Sequence, residues 1–202
     1  MRWLPALACL LVLAGCGGGG ESAASCEVTV VDEERGGEVE PLEEGEHSIE
    51  FQTTHGTFTV AIDEEVAPCN GGSMMQLARE GFFNGIAFHR IVPDFVIQAG
   101  QSRQTPDGGP GYTTVDLPPP ETTYTKGVVA MAKTQFDPPG TGSSQFFVVT
   151  GENVMLPPEY APIGRVVEGM AIVEKIGKLG NAQTQAPTEQ IVIKQAVASG
   201  AE

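Results

Sequence analysis

Phe88-His89-Arg90-Ile91-Val92-Pro93-Asp94-Phe95-Val96-Ile97-Gln98-Ala99-Gly100 is the stretch on which the reading of this chain turns. It holds two short β-prone runs, 88–92 and 95–99, separated by Pro93-Asp94, a pair that suits a turn or bulge and not a central strand. Arg90 and Gln98 sit among apolar neighbours, where polar groups are costly unless they are paired or face a groove. A second segment, Gly142-Ser143-Ser144-Gln145-Phe146-Phe147-Val148-Val149, repeats the theme. Its two-residue period puts Gln145, Phe147 and Val149 on one face, with Phe146 and Val148 on the other. An Arg, two Gln and several Phe on strands predict a shallow apolar groove with a few polar fingers.

The chain has 202 residues, 41% of them hydrophobic, which suits one ordinary domain better than two. Its 11 Lys and Arg face 26 Asp and Glu, a net charge of −15. Residues 21–50 hold 11 of those acids and Arg35 alone among bases, so the acidity belongs mostly to a leader and not to the domain. Solubility is the plain reading of such charge. No basic stripe interleaved with aromatics is present, which argues against a nucleic-acid partner.

Arg2 is followed by an apolar run to Ala14, too short to span a bilayer and ending in small residues, as an export signal does. Leu13-Ala14-Gly15-Cys16 resembles the lipobox of bacterial lipoproteins, in which the Cys is diacylated and becomes the mature N-terminus. Two acyl chains suffice for stable anchoring where one is marginal. A plain secretory signal cut nearby is the alternative; either way the domain is exported. Cys9 then leaves with the signal and Cys16 takes lipid. Cys26 and Cys69 remain as an even pair in an oxidising compartment. They form either a disulfide that ties the leader to the domain or two unrelated thiols. His47, His55 and His89 share no ligand spacing with either Cys, so no metal site is expected.

Residues 1–15 therefore read as a lipoprotein signal, 16–46 as a flexible acidic tether with at most one short strand near Val28–Val31, and 47–198 as the folded domain. Ile49–Thr53 and Thr57–Ile62 flank Thr54-His55-Gly56 as a hairpin, with Phe58, Val60 and Ile62 on one face. A helix is expected near 70–80, ending at Gly81, although Gly71 and Gly72 weaken its first turn. Residues 101–126 promise little regular structure, and 108–112 lack the Lys-Ser/Thr and following helix of a phosphate cradle. Strands are expected at 127–132, 145–150, 161–167 and 191–197, loops at 133–142 and 153–160, and a second helix at Met170–Ile176. Seven to nine strands with two helices point to a mainly β fold, a closed antiparallel barrel capped by helices.

From about Ile49 to Val197 the chain resembles the cyclophilin-type peptidyl-prolyl cis-trans isomerases. The 88–100 stretch carries the family's central signature, and Gly127-Val-Val-Ala-Met131-Ala132 and Gly142-Ser-Ser-Gln145-Phe146-Phe147 carry two more in the usual order. Gly85, the Ala-Arg-Glu-Gly run at 78–81 and Gly108-Gly-Pro-Gly-Tyr112 fit the bacterial branch. The resemblance implies an eight-stranded barrel with two capping α-helices and a proline pocket on its outer surface. It implies Arg90 as the catalytic guanidinium, and Phe95, Val96, Phe147 and Leu156 as the holders of the proline ring. Gln98, Ala132 and Gln145 would line the groove beside them, and Tyr160 stands where the family commonly has a pocket His. Met155 stands where many eukaryotic members carry Trp, Lys133 replaces the usual Asn, and loop 133–142 is a few residues longer. The implied reaction needs no cofactor, and the implied partners are proline-containing client segments, met by a monomer held at the membrane by its N-terminal lipid.

Other readings remain beside this one. Alone, Arg90 also fits a structural arginine tied to a carboxylate such as Asp94, and His89 reads as structural. Ser143-Ser144 lacks the G-x-S-x-G elbow of a hydrolase. A tethered module that holds Pro-containing segments without turnover would present the same pocket. A purely structural envelope lipoprotein would fit the tether but leave the polar groove residues unexplained.

Overall fold

The computed structural model describes residues 25–105 and 108–200. The expected signal segment and Cys16 lie outside the described residues. In chain order the strands are β1 (Val28–Val30), β2 (His47–Thr53), β3 (Gly56–Ile62), β4 (Arg90–Val92), β5 (Val96–Ala99), β6 (Tyr112–Val115), β7 (Tyr124–Thr125), β8 (Val128–Met131), β9 (Thr141–Gly142), β10 (Phe146–Val149), β11 (Asn153–Val154), β12 (Pro162–Glu168) and β13 (Ile193–Ser199). Helix α1 spans Pro68–Arg79 and α2 spans Met170–Gly177.

Eight strands form one antiparallel sheet in the order β13-β2-β3-β12-β8-β10-β5-β4. Its two ends meet through the residues leading into β4 and β13. Gly85 N–H donates to Ile193 O (2.8 Å), Ile193 N–H to Ile86 O (2.8 Å), and Phe88 N–H to Ile191 O (2.9 Å). The sheet thus curls into the expected barrel, with closure resting on a short bridge in place of a full ladder. Alternate residues fill the interior: Ile49 and Phe51 from β2, Phe58, Val60 and Ile62 from β3, Phe146 and Val148 from β10. Phe51 is central, stacked on Phe58 at 5.2 Å and on Phe146 at 5.1 Å, with Phe83 edge-on at 6.0 Å.

The opposite face of β8 and β10 is also buried. Val128, Ala130, Phe147 and Val149 join Val96, Tyr124 and Val154 in a second apolar cluster outside the barrel, against which Phe95, Ala132, Leu156 and Tyr160 pack. That is why β8 and β10 are buried along their whole length.

Helix α1 opens on Pro68, whose missing N–H is no loss at a first helical position. Its N-cap Ala67 has no side chain to accept the next donors, and Asp116 does so from 46 residues away, taking Asn70 N–H at 2.6 Å and Cys69 N–H at 3.3 Å. Burial nonetheless raises the Asp116 pKa, with the two N–H bonds opposing it. Gly81, at φ 73°, ends the helix as expected. The two glycines inside α1 have a use that the sequence did not disclose: a Cβ at Gly72 would strike the Glu40 carbonyl, and one at Gly71 the Leu42 side chain.

Within the described residues, from 25 on, that contact corrects the expectation of a flexible tether over 16–46. The leader lies along the domain: β1 pairs with β6, Val39 is buried, Leu42 packs on the core and donates its N–H to Pro68 O (3.0 Å). Cys26 and Cys69 are joined as a disulfide with Cα atoms 5.4 Å apart. Three further expectations are corrected. The loop 133–142 ends in β9. Residues 101–126 contain β6 and β7, and the loop 153–160 opens with β11. These strands have two to four residues and lie between Pro- and Gly-rich runs, too short for a period to show.

Candidate active site

The β4–β5 hairpin sets Arg90 directly across from Gln98, and β10 sets Phe147 on the other side of Gln98. Pro93-Asp94 makes the turn, with Asp94 at φ 55°, a conformation Asp tolerates. Phe95 O is then gripped by the N–H groups of Thr150 (2.9 Å) and Gly151 (3.3 Å). These strands present a cavity of about 300 Å³ lined by Arg90, Phe95, Val96, Gln98, Ala132, Lys133, Phe147, Leu156 and Tyr160. Eight of the nine residues expected to bind or act on substrate line it. The ninth, Gln145, lines an adjoining cavity of about 350 Å³ that shares Gln98, Ala132 and Lys133 with the first.

The polar side forms a relay. Arg90 Nη1 donates to Gln98 Oε1 at 3.4 Å, and Gln98 Nε2 donates to Gln145 Oε1 at 3.1 Å. Arg90 Nε donates to Gln185 Oε1 at 2.7 Å, and the guanidinium carbon lies 5.9 Å from the centre of the Phe95 ring. The ion pair with Asp94 that Arg90 alone would fit is not formed among the described residues. Sequence reasoning missed Gln185. It sits in a turn at φ 60°, its N–H donating to Asn181 O (2.7 Å) and its O accepting from Ile91 N–H (2.9 Å).

The apolar side rests on a cluster of aromatic rings set edge-to-face or tilted. Phe147 and Tyr160 meet edge-to-face at 5.6 Å, and Tyr124, fully buried beneath them, donates its hydroxyl to Tyr160 O at 2.7 Å. Burial pushes the Tyr124 pKa up. Lys133 is no free cation: its side chain is 4% exposed, paired with Glu159 at 3.1 Å and lying 5.6 Å over the Tyr160 ring. Met155 is 91% exposed and stays outside the pocket lining. Ser144 is buried and donates to Gly100 O (2.8 Å), lacing the end of β5 to the start of β10.

His89 faces elsewhere. It lines a larger depression of about 620 Å³ between Phe82, residues 84–89, residues 101–104 and Pro187, Glu189 and Gln190. That depression lacks the convergent relay and aromatic wall of the Arg90 pocket, so size does not make it the site. Burial, and then the neighbouring Arg90 charge, lower the His89 pKa.

A family profile described as "Cyclophilin type peptidyl-prolyl cis-trans isomerase/CLD" matches residues 48–198. The peptidyl-prolyl cis-trans isomerase ppi1 of Schizosaccharomyces pombe is 33% identical over 75% of this chain and 98% of its own. A probable peptidyl-prolyl cis-trans isomerase of Brucella abortus is 30% identical over 70% of this chain and 76% of its own. In fold, the chain is similar to the crystal structure of a Cryptosporidium parvum cyclophilin-type isomerase, with a TM-score of 0.67 at 22% identity over 78% of this chain and 99% of that one. A second structure of that protein, in the presence of the dipeptide Ala-Pro, gives a TM-score of 0.64 at 23% identity, covering 75% of this chain and 98% of that one. With its profile matched from β2 to β13 and its barrel shared, this chain belongs to the cyclophilin-type peptidyl-prolyl cis-trans isomerases, enzymes that interconvert the cis and trans forms of X-Pro bonds.

Proposed function

We propose that Arg90 is the catalytic group and that the substrates are proline-containing segments of exported proteins. The observation that carries the first part is the position of the guanidinium, tied by Nε to Gln185 and by Nη1 to Gln98 at the rim of an apolar pocket. Among the described residues Nη2 has no protein partner.

Rotation about an X-Pro bond faces a barrier of about 18–20 kcal/mol because amide resonance stiffens the C–N bond. At mid-rotation the proline nitrogen is pyramidal and carries a lone pair that the planar amide lacks. A donor aimed at that nitrogen binds the twisted state better than either planar state, and only such differential binding lowers the barrier. An arginine stays protonated and its planar fork is easily held in one orientation. Phe95, Val96, Phe147 and Leu156 would hold the proline ring, with Ala132 and Tyr160 closing the wall. Gln98 and Gln145 would bond the client backbone. The apolar wall would strengthen the guanidinium's field at the nitrogen once a client covers it.

Export and lipid anchoring at Cys16 rest on the Leu13-Ala14-Gly15-Cys16 run, and the Cys26–Cys69 disulfide supports an oxidising compartment. The deciding experiment follows cis/trans exchange of an Ala-Pro-Phe peptide by NMR with the full-length chain and Arg90→Ala. Turnover should fall much further than peptide affinity; equal losses in both would remove the transition-state role. Cys16→Ser should move the protein from the membrane fraction to the soluble one.

A further inference from the structure

The leader does more than lie on the domain. Gly111 O accepts two N–H bonds from it, from Val31 at 2.7 Å and Asp32 at 2.9 Å, and Arg35 Nη1 donates to Gly109 O at 2.8 Å. The arginine is itself fixed, Nε donating to Asp32 Oδ2 at 2.9 Å and Nη2 pairing with the same oxygen at 2.8 Å. Immediately after Gly111 the two segments become a ladder, Val30 opposite Tyr112 and Val28 opposite Thr114. Gly111 has φ 95°, and a Cβ there would come within 2.8 Å of Arg35 Cβ and 3.2 Å of the Arg35–Gly36 backbone, so the leader fits only against a bare glycine. The Cys26–Cys69 disulfide secures the outer end of this strand to the start of α1.

Gly108 and Gly109 form one wall of the 350 Å³ cavity beside the proline pocket, and Ser143, Ser144 and Gln145 form another. Both walls hang on the same small sheet, because β6 pairs with β9 and Thr114 stands opposite Gly142. The two cavities share Gln98, Ala132 and Lys133, so an extended chain that continues from a seated proline along this side runs into the second one. Glycine loses more conformational freedom on ordering than any other residue, and a wall built from Gly108 to Gly111 needs outside bonds to hold one shape.

We propose that Arg35, carried on the disulfide-secured strand β1, is a positioning residue for the Gly108–Gly111 wall and so governs how the enzyme takes client residues that flank the proline. The inference rests on the assignment of the Arg90 cavity as the proline pocket. The leader is then a specificity element: chains that fill only the proline pocket do not sense it, and chains that run on into the second cavity do.

The test uses the full-length chain with two probes, a blocked Ala-Pro dipeptide and a hexapeptide with Ala-Pro at its centre, each followed by NMR exchange. Arg35→Ala should leave turnover of the dipeptide within about twofold and raise KM for the hexapeptide about three- to tenfold at unchanged kcat, the scale of one lost hydrogen bond. Reducing the Cys26–Cys69 disulfide in the unmutated protein should change the hexapeptide KM in the same direction, which covers a variant that folds badly. Equal effects on both probes, or none on either, would overturn the proposal. Arg90→Ala on the dipeptide reports separately on the pocket assignment, so the two readings fail independently.

Discussion

Arg90 and Gln185 are 95 residues apart in the chain, and the arginine Nε donates to the glutamine Oε1 across 2.7 Å. The bond holds the guanidinium through Nε while Gln98 holds it through Nη1. Gln185→Ala should lower kcat about fivefold, the scale of one partly exposed hydrogen bond, with peptide affinity held. NMR exchange at saturating peptide would measure it. An unchanged kcat would show that Gln98 and the Phe95 ring suffice to orient Arg90.

Leu156 lies against the second cluster without being sealed inside it, so it can be shortened without opening the barrel core. Leu156→Ala should weaken peptide binding about five- to tenfold through lost apolar contact and shift the unfolding midpoint little. Chemical-shift titration gives the affinity and urea denaturation the stability. A large stability loss with unchanged affinity would place Leu156 in the scaffold and not in the pocket wall.

The Cys26–Cys69 bond closes a loop with a sequence separation of 43 residues. Loop-closure entropy assigns such a bond about 3–4 kcal/mol. Cys26→Ser should cost about that much in urea denaturation. Reductant should lower the midpoint of the parent protein and leave the variant unmoved. Proteolysis near residues 26–36 should accelerate in both cases, since the strand loses its anchor.

His89 gives a pH signature. Its Nδ1 is buried with no partner among the described residues, and burial followed by the Arg90 charge holds its pKa below 6.5. As pH falls through 6.5 the unfolded chain takes up the proton before the folded one does. The His89 contribution to stability is therefore full above that pH and declines from there towards the lower folded value, below which it levels off. Urea denaturation from pH 8 to pH 5 should show a steeper decline for the parent than for His89→Phe. Parallel curves would mean that His89 is protonated in the folded protein without cost.

Sequence by itself determined the strands at 90–99 and 146–149, their faces, both helices and the residues that gather around Arg90. Those features follow from the two-residue period, from turn chemistry at Pro93-Asp94 and Gly81, and from motif order, all of which act over a few residues. Tertiary structure alone decided that Gln185 holds Arg90, that Tyr124 supports Tyr160 from 36 residues away, and that Asp116 caps α1 from 46. It also decided that residues 26–42, acidic and without period, are bound to the domain. Their anchoring comes from a β1–β6 ladder, a disulfide and the bare backbone of Gly71, Gly72 and Gly111. Such pairings are fixed by the closing of the barrel, which brings distant segments to hydrogen-bond distance, and a one-dimensional pattern carries no record of that closure.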